Sequence, residues 1–370
     1  MKIPFFDYRG FCKDLDYSEI LKEVLESGYL IGGPFIDKVE SCIEEYTKIR
    51  HCVCVGNATD AMEIIFDFLN LPLDSNVLVP SHTMLATASS AATKGLNPIP
   101  VDVDEDSLMV EIKQLENCNL KNVSAIMITQ LNGLVADMDP IKDFCYKNNI
   151  ILIEDSAQGI GAFNNSKHAG SWGIGGCLSF YPAKVIGCLG DGGALLTNND
   201  DLAEFARSVR DHGRGPGLEA INWGRNSRLD SLNARVILKR LDQLEILIKK
   251  RRTLADIYFA KLVDLDKDGF ITLPSLYSTN SNSQSTFQNF EIKANNRDKL
   301  MGFLRDKGVS TIKQWGGFSI AHFSKLGFDI NDYPSTKNLF NKLLLLPMNH
   351  MLKEDEVSYI SDSIVSFYKG

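Results

Sequence analysis

The sequence predicts an α/β fold, with a large domain built on a mostly parallel β-sheet and a smaller C-terminal α+β domain. The main observation is a regular alternation of short apolar segments with helical stretches, which implies right-handed crossovers and helices on both faces of the sheet. The predicted strands are 52–55, 76–79, 98–103, 125–129, 150–154, 177–181 and 194–197. Predicted helices between them cover 59–69, 83–94, 107–117 and 139–148. Ligands bind such sheets beyond the carboxyl ends of the strands.

Further elements are predicted on either side of this alternation. Amphipathic helices at 18–27 and 35–49 precede the first strand, helix 200–211 follows the last, and apolar periodicity predicts one long helix over 229–264. We place the domain boundary within it, so that 1–245 form the large domain and 246–370 the small one. A polar tract makes 265–285 a predicted hinge or exposed loop. The small domain then contains strands at 287–293 and 309–313 and helices at 297–307 and 354–368.

Composition argues against several classes of partner. The 370 residues include 39 basic and 47 acidic ones, a formal net charge of −8, which argues against binding to nucleic acid or an anionic membrane. No apolar run approaches the roughly 18 residues of a membrane span, and the N-terminus lacks the apolar core of a signal peptide. The eight cysteines are scattered and show no zinc-ligand spacing. We therefore expect a cytoplasmic protein without a metal site.

Predicted strand ends carry residues suited to an anionic or a cationic ligand. Residues 56–60 (GNATD) open a helix with Thr59 or Asp60 available as its cap, and the free N–H groups there form a phosphate cradle or a plain helix cap. The turn after 76–79 lies at the same edge. Asp155 follows the buried strand at 150–154, where a carboxylate needs a cationic partner such as a protonated pyridine nitrogen. The alternative for Asp155 is a cap on the next helix.

One lysine, Lys184, lies in a Pro- and Gly-containing turn between two apolar strands, within the stretch 175–197. A lysine amine forms a Schiff base with a carbonyl when its surroundings disfavour the ammonium, and pyridoxal 5'-phosphate (PLP) is the commonest cofactor to use this chemistry. An ordinary surface lysine has the same local pattern. The glycines at 187, 190 and 192 do not make a dinucleotide fingerprint, because they lead into a strand rather than a helix.

Taken together, six motifs resemble those of the PLP-dependent aminodeoxy-sugar aminotransferases of the DegT/DnrJ type, which have fold type I. The resemblance covers essentially the whole chain. The motifs are GNATDAM at 56–62, PSHTMLATA at 80–88, GLVADMDPI at 133–141, EDSAQGIGA at 154–162, SFYPAKVIGCLGDGGA at 179–194 and GRNSRLDSLNA at 224–234. The resemblance implies a mixed, mostly parallel seven-stranded sheet in the large domain.

The resemblance also implies a role for each matching residue. Lys184 forms the Schiff base with PLP and shuttles protons, and Asp155 keeps the pyridine nitrogen protonated. Gln158 hydrogen-bonds the 3'-oxygen of the ring. The cofactor phosphate is bound by Thr59, Asp60 and Ser179, and by Asn226 of a neighbouring subunit, which implies a homodimer with shared active sites.

L-glutamate is the usual amino donor of such enzymes. Its reaction leaves 2-oxoglutarate and pyridoxamine 5'-phosphate, and the amino group then passes to a keto-sugar that is normally nucleotide-linked. Arg228 is our candidate for binding an anionic part of the substrate. Relatives that dehydrate carry histidine at the lysine position, so Lys184 argues against dehydratase chemistry.

The chain departs from the family pattern at three places. Ala58 replaces a glycine before the phosphate-binding threonine, and Met84 replaces an aromatic residue that stacks on the cofactor ring. A thioether can also pack on a π face. The His-Tyr-Pro-like stretch of the small domain is replaced by KQWGG at 313–317, followed by His322. There we expect Trp315 to stack on a base or sugar and Lys313 or His322 to meet a phosphate, with ordinary packing or a solvated charge as the alternative for each.

These departures leave other functions open. The KQWGG segment favours a different acceptor, such as a keto-cyclitol or an unactivated keto-sugar. Ala58 and Met84 favour a PLP-binding regulatory protein that has lost catalysis. A nucleotide-binding dehydrogenase is a third alternative, which predicts bound NAD instead of PLP.

Overall fold

The computed structural model describes residues 2–275 and 284–370, and twelve strands are found within them. These are β1 (His51–Val55), β2 (Asn76–Pro80), β3 (Asn97–Val101), β4 (Val123–Thr129), β5 (Ile151–Asp155), β6 (Phe163–Asn164), β7 (Lys167–His168), β8 (Gly176–Ser179), β9 (Gly193–Thr197), β10 (Ile271–Thr272), β11 (Phe290–Ala294) and β12 (Leu343–Leu346).

Thirteen α-helices lie within the same described residues. They are α1 (Tyr8–Phe11), α2 (Tyr17–Ser27), α3 (Pro34–Thr47), α4 (Ala58–Leu69), α5 (Leu85–Ala92), α6 (Ile112–Glu116), α7 (Met138–Lys147), α8 (Asp200–Val209), α9 (Ser231–Leu241), α10 (Leu244–Lys267), α11 (Arg297–Asp306), α12 (Pro334–Lys342) and α13 (Glu354–Lys369).

The large sheet has seven strands in the order β1-β9-β8-β5-β4-β2-β3. The neighbours from β8 to β3 all pair in parallel, whereas β9 runs antiparallel to both β1 and β8. This arrangement confirms the predicted mixed, mostly parallel sheet. Its strands are nearly continuous apolar runs because helices cover both faces, as is usual for parallel sheets.

Alternating side chains of each strand enter opposite cores. On β1, Cys52 and Cys54 pack with the helices α3 and α9, whereas Val53 and Val55 pack with α4 and α8. All four side chains are fully buried or nearly so. The sheet is therefore a central layer between two helical layers, and the carboxyl ends of its parallel strands share one edge.

Glu154, the last residue but one of β5, is completely buried and organises the loop before β8. Its carboxylate accepts hydrogen bonds from the backbone N–H groups of Gly170 (2.8 Å), Trp172 (2.6 Å) and Gly173 (3.0 Å). The amide of Gln130 donates a fourth hydrogen bond at 2.7 Å. Glu154 thereby satisfies buried backbone donors that the sheet leaves without a partner.

The predicted long helix at 229–264 is wrong in one respect, because the structure has two helices there. Helix α9 ends at Leu241, and α10 begins at Leu244 after the non-helical Gln243. The two halves serve different cores, since Ile237 packs under the large sheet and Tyr258 packs under the C-terminal sheet. The spacing of apolar residues along the sequence does not show that the two helices pack against different sheets.

The predicted strand at 309–313 is also wrong. Val309 forms only an isolated bridge with Ile3, and Ile312 only one with Leu345. The C-terminal sheet instead has the order β10-β11-β12, with all pairs antiparallel. Pairing with Ile3, at the other end of the chain, leaves no signal in the local sequence.

The predicted helix at 107–117 is reduced to α6 (Ile112–Glu116), because Leu108 adopts a positive φ of 62° that interrupts a helix. The predicted hinge at 265–285 differs as well. The structure has the end of α10 and the short strand β10 between 265 and 272, and residues 276–283 lie outside the described part of the chain. The proposed boundary between 245 and 246 stays a prediction. Ile3, from the N-terminal end, belongs to the core beneath the C-terminal sheet.

No helix within the described residues is long and apolar enough to cross a membrane. The same part of the chain contains no group of three His, Cys, Asp or Glu residues that could hold a metal ion. All eight cysteines are free thiols.

We expect Glu154→Leu to lower the free energy of unfolding by about 3 kcal/mol or more, because three buried N–H groups lose their acceptor. Urea denaturation followed by circular dichroism measures this change. The exposed Glu116→Ala variant is the control and should change stability by less than about 0.5 kcal/mol. Equal stability of the two variants would contradict the role given to Glu154.

Candidate active site

A pocket of about 350 Å³ lies beyond the carboxyl ends of β1, β4, β5 and β8. It contains most of the predicted site residues. Those that line it are Thr59, Met84, Asp155, Gln158, Ser179, Lys184 and Trp315. Asp60, Asn226, Arg228, Lys313 and His322 are not among its lining residues.

Lys184 lies in an irregular turn between β8 and β9, where its backbone N–H donates a hydrogen bond to the carbonyl of Tyr181 at 2.8 Å. Its side chain is half-buried and faces the pocket. Burial lowers the pKa of the Lys184 ammonium to about 8, and the charge of Asp155 opposes this shift. About one-tenth of the amine is therefore neutral and nucleophilic at pH 7, far more than for an ordinary lysine.

Asp155 is the last residue of β5 and is only 4% exposed. One carboxylate oxygen accepts a hydrogen bond from the hydroxyl of Thr87 at 2.6 Å, and the other accepts one from the N–H of Ala157 at 3.1 Å. Thr83 hydrogen-bonds both Thr87 (2.7 Å) and Thr129 (2.8 Å), which fixes the Thr87 hydroxyl. These contacts orient the carboxylate where it lines the pocket, so that it can hold a cationic ring nitrogen.

The N-terminus of α4 forms one end of the pocket. Asn57 caps the helix by accepting a hydrogen bond from the N–H of Asp60 at 2.9 Å, and Ala58 and Thr59 begin it. A Cβ on Gly193 would lie 2.4 Å from the Asn57 backbone, so only glycine permits this close approach. The arrangement suits a phosphate, because helix N-termini offer free N–H groups and a positive dipole end.

Ala58 and Asp60 both lie in the first turn of α4. Ala58 does not adopt a positive φ, so its Cβ causes no backbone strain where the family pattern has glycine. The carboxylate of Asp60 accepts a hydrogen bond from the hydroxyl of Ser227 at 2.5 Å. The same hydroxyl accepts a hydrogen bond from the N–H of Gly56 at 2.9 Å, so Asp60 helps to hold the turn before α4.

Gln158 also lines the pocket, and a hydrogen bond fixes the orientation of its side chain. Its Oε1 accepts a hydrogen bond from the backbone N–H of Asn132 at 2.8 Å. Its Nε2 therefore remains available as a donor. The side chain of Asn132 donates to the buried carboxylate of Glu291 at 2.7 Å, and burial raises the pKa of Glu291 to about 7.

Met84 is the N-terminal cap residue of α5, 49% exposed, and its sulfur accepts a hydrogen bond from the N–H of Ala86 at 3.1 Å. Trp315, with a positive φ of 45°, also lines the pocket. Its ring packs edge-on against His82 at a centroid distance of 5.2 Å. The pocket thus has a flexible thioether and an aromatic ring among its walls.

The other predicted residues contact protein groups elsewhere. Lys313 forms an ion pair with Asp298 at 2.8 Å, and His322 accepts a hydrogen bond from the N–H of Ser319 at 3.1 Å. His322 also packs on the Phe340 ring, and burial lowers its pKa. Arg228 donates hydrogen bonds to Asn226 (3.0 Å) and Asp211 (2.9 Å).

Thr87, Asn132 and Gln288 also contribute to the site, although none of them was among the residues predicted from sequence. Thr87 lies within the motif at 80–88, so a signal for it was present. Asn132 immediately precedes the motif at 133–141. Gln288 hydrogen-bonds the backbone on both sides of Lys184, and it lies in no motif.

Comparison with known proteins identifies the family of the chain. A profile of the DegT/DnrJ/EryC1/StrS aminotransferase family matches residues 12–365. The chain is 31% identical over 375 residues to a pleiotropic regulatory protein of Geobacillus stearothermophilus, covering 100% of this chain and 99% of that protein. It is 32% identical over 291 residues to the UDP-2-acetamido-2-deoxy-3-oxo-D-glucuronate aminotransferase of Pseudomonas aeruginosa, covering 79% of each.

A solved structure extends the similarity to the fold. DesV of S. venezuelae, crystallised in complex with a ketimine intermediate, has 27% identity and a TM-score of 0.93. The match covers 100% of this chain and 99% of that one. The resemblance seen in the motifs is thereby confirmed, as is the fold type I architecture. The chain belongs to the DegT/DnrJ/EryC1/StrS aminotransferase family and is a PLP-dependent sugar aminotransferase.

Proposed function

We propose that this protein transfers an amino group from L-glutamate to a nucleotide-linked keto-sugar. The observation that carries the proposal is the meeting of Lys184 and Asp155 in one pocket at the carboxyl edge of the sheet. The choice of acceptor is supported by the Pseudomonas relative, whose name states a UDP-linked 3-oxo sugar acid as its substrate.

PLP fits the pocket by the chemistry of its lining residues. The N-terminus of α4, Thr59 and Ser179 offer donors for the phosphate, and the lack of a side chain on Gly193 lets the Asn57 backbone approach. Asp155 would hold the pyridine nitrogen in its protonated form, and Gln158 would donate to the 3'-oxygen of the ring. When bound, PLP supplies an electron sink for the bond that breaks at the amine-bearing carbon.

The protein's own side chains would then move the proton. Lys184, with its low pKa, would act at its Nζ as the general base that takes the proton from the donor's α-carbon and as the general acid that releases it again. Thr87 keeps the Asp155 carboxylate oriented throughout. Met84 would pack on the ring face, where its thioether replaces an aromatic contact.

We further propose a homodimer in which Asn226 contacts the phosphate bound by the neighbouring subunit. Large apolar side chains near the pocket and the Asn226 loop support a covered surface. Tyr181 is 47% exposed, Ile221 is 53% exposed and Trp223 is fully exposed in the single chain. Asp60 would act at the phosphate indirectly, through Ser227 and the turn before α4.

The acceptor side of the proposal rests mainly on Trp315, which lines the pocket and can stack on a sugar or a base. Arg228 lines a separate pocket, and it would have to release Asp211 before it could bind an anionic part of the substrate. Lys313 and His322 would have to exchange Asp298 and Ser319 for a phosphate before they could contribute. A cytoplasmic location is part of the same proposal, supported by the eight free thiols.

One alternative keeps some support. The KQWGG segment at 313–317, which supplies Trp315 to the pocket, favours a different acceptor, such as a keto-cyclitol or an unactivated keto-sugar. A catalytically silent regulatory protein loses its support, because the chain belongs to an aminotransferase family and Ala58 causes no backbone strain. The regulatory role in the name of the Geobacillus relative is a statement about that protein.

We expect L-glutamate to bleach the visible absorbance of the PLP-loaded protein and to yield one 2-oxoglutarate per site. Lys184→Ala should slow this half-reaction by about 10²–10⁴-fold, because the general base is lost. Stopped-flow absorbance measures both effects, and the exposed Lys249→Ala serves as the control. An unchanged spectrum after glutamate, with PLP bound, would show that glutamate is not the amino donor.

The lowered pKa of Lys184 predicts how the apoprotein captures PLP. Below pH 8 the ammonium predominates and cannot attack, so the rate of Schiff-base formation should rise through about pH 8 and then level off. The appearance of visible absorbance after mixing with PLP, with Lys184→Ala subtracted, measures this rate. A midpoint close to that of a free lysine would show that the pocket does not lower the pKa.

The identity of the acceptor can be tested with the pyridoxamine-loaded protein. We expect UDP- or dTDP-linked keto-sugars to restore the visible absorbance at least about tenfold faster than the same sugars without a nucleotide, because the nucleotide adds binding energy. Trp315→Ala should reduce this preference. Turnover of free keto-sugars or keto-cyclitols alone would instead support the alternative acceptor.

A further inference from the structure

The turn that carries Lys184 packs Val185 and Ile186 into the core of the large sheet, but its backbone has few hydrogen bonds close to Lys184 itself. It follows β8 and belongs to no helix or strand. Its backbone makes the hydrogen bond from Lys184 to Tyr181 noted above, and Cys188 closes the turn by donating to the carbonyl of Phe180 at 2.7 Å. A lysine that must meet a reacting carbon needs a firmer backbone than such a turn provides.

Gln288, from the C-terminal part of the chain, restrains the backbone of this turn with two hydrogen bonds. Its Nε2 donates to the carbonyl of Ala183 at 3.0 Å, and its Oε1 accepts from the N–H of Val185 at 3.0 Å. These groups belong to the peptide planes immediately before and after the Cα of Lys184. Because each peptide unit is rigid, holding both planes restricts the φ and ψ of Lys184.

Gln288 is itself held by Arg251 of α10, which is completely buried. One guanidinium nitrogen of Arg251 donates to the carbonyls of Phe287 (3.0 Å), Gln288 (3.2 Å) and Met348 (3.1 Å). Arg251 forms no ion pair with a described carboxylate. A buried guanidinium is costly, and these carbonyls are the partners that it has. The backbone at Gln288 is therefore anchored to α10 and to the segment after β12.

We propose that Gln288, anchored by Arg251, is the positioning residue that aims Lys184 at the cofactor. This inference rests on the proposed function of Lys184 as the Schiff-base lysine. Gln288 is not among the residues that line the pocket, so it would not touch substrate or cofactor. It acts through the backbone of Lys184. The C-terminal part of the chain thereby controls the geometry of a lysine that the large sheet carries.

The test is Gln288→Leu, which removes both hydrogen bonds at similar volume. Two probes are compared: PLP, whose capture requires Lys184, and pyridoxamine 5'-phosphate, which forms no bond with lysine. We expect PLP capture and the glutamate half-reaction to slow at least about tenfold, because misplaced reacting groups lose rate steeply. The affinity for pyridoxamine 5'-phosphate, measured by calorimetry, should stay within about twofold of the unmodified protein, because the phosphate and ring contacts remain.

Thr286→Val is the matched control. Thr286 lies two residues away in the same segment, it is equally buried, and its hydroxyl has no hydrogen-bond partner among the described residues. It should leave both probes unaffected. Gln288→Glu keeps the acceptor for the Val185 N–H and loses the donor to Ala183, so its PLP capture should fall between those of the other two variants. This variant decides the matter if Gln288→Leu does not fold.

Two results would overturn the proposal. Wild-type PLP capture in Gln288→Leu and Gln288→Glu would show that the hydrogen bonds do not aim the lysine. An equal loss of affinity for both probes would show that Gln288 only maintains the pocket. A wild-type protein that captures PLP but does not respond to glutamate refutes the proposed function alone, because PLP capture still reports on Gln288.

Discussion

The parallel pairing of β5 with β8 is the constraint on which the site depends. Glu154 on β5 lies opposite Gly176 on β8, so the two strands end at the same edge of the sheet. Asp155 closes β5, and the turn after β8 carries Lys184. Two residues far apart in sequence therefore meet in one pocket. No contact between their side chains is required to bring them there, because the sheet register does so.

Several charged groups in and around the site are buried. Asp155, Glu154 and Arg251 are each removed from water and each is held by N–H, hydroxyl or carbonyl groups, without a close ion-pair partner among the described residues. Polar contacts are strong where water is excluded, and losing one is correspondingly costly. The same environment keeps Lys184 partly neutral. Stability and reactivity at this edge thus have one physical origin.

The C-terminal part of the chain contributes to the site in two ways. It supplies Trp315 to the pocket wall, and it supplies Gln288 to the backbone on either side of Lys184. Lys313 and His322, which the motif comparison also favoured, contact Asp298 and Ser319. The acceptor end of the pocket therefore differs most from expectation where the sequence departs most from its family.

The sequence by itself determined the fold class and the seven strands of the large sheet, and it predicted Asp155 and Lys184 as site residues. Strands and helices that alternate along the chain can be recognised from local apolar patterns. A lysine between turn residues can likewise be recognised from the local sequence, without knowledge of its contacts. Tertiary structure alone decided the break between α9 and α10, the pairing of Val309 with Ile3, and the contacts of Gln288 and Asn132. Each of these depends on residues distant in the chain, and such contacts leave no period or motif in the local sequence.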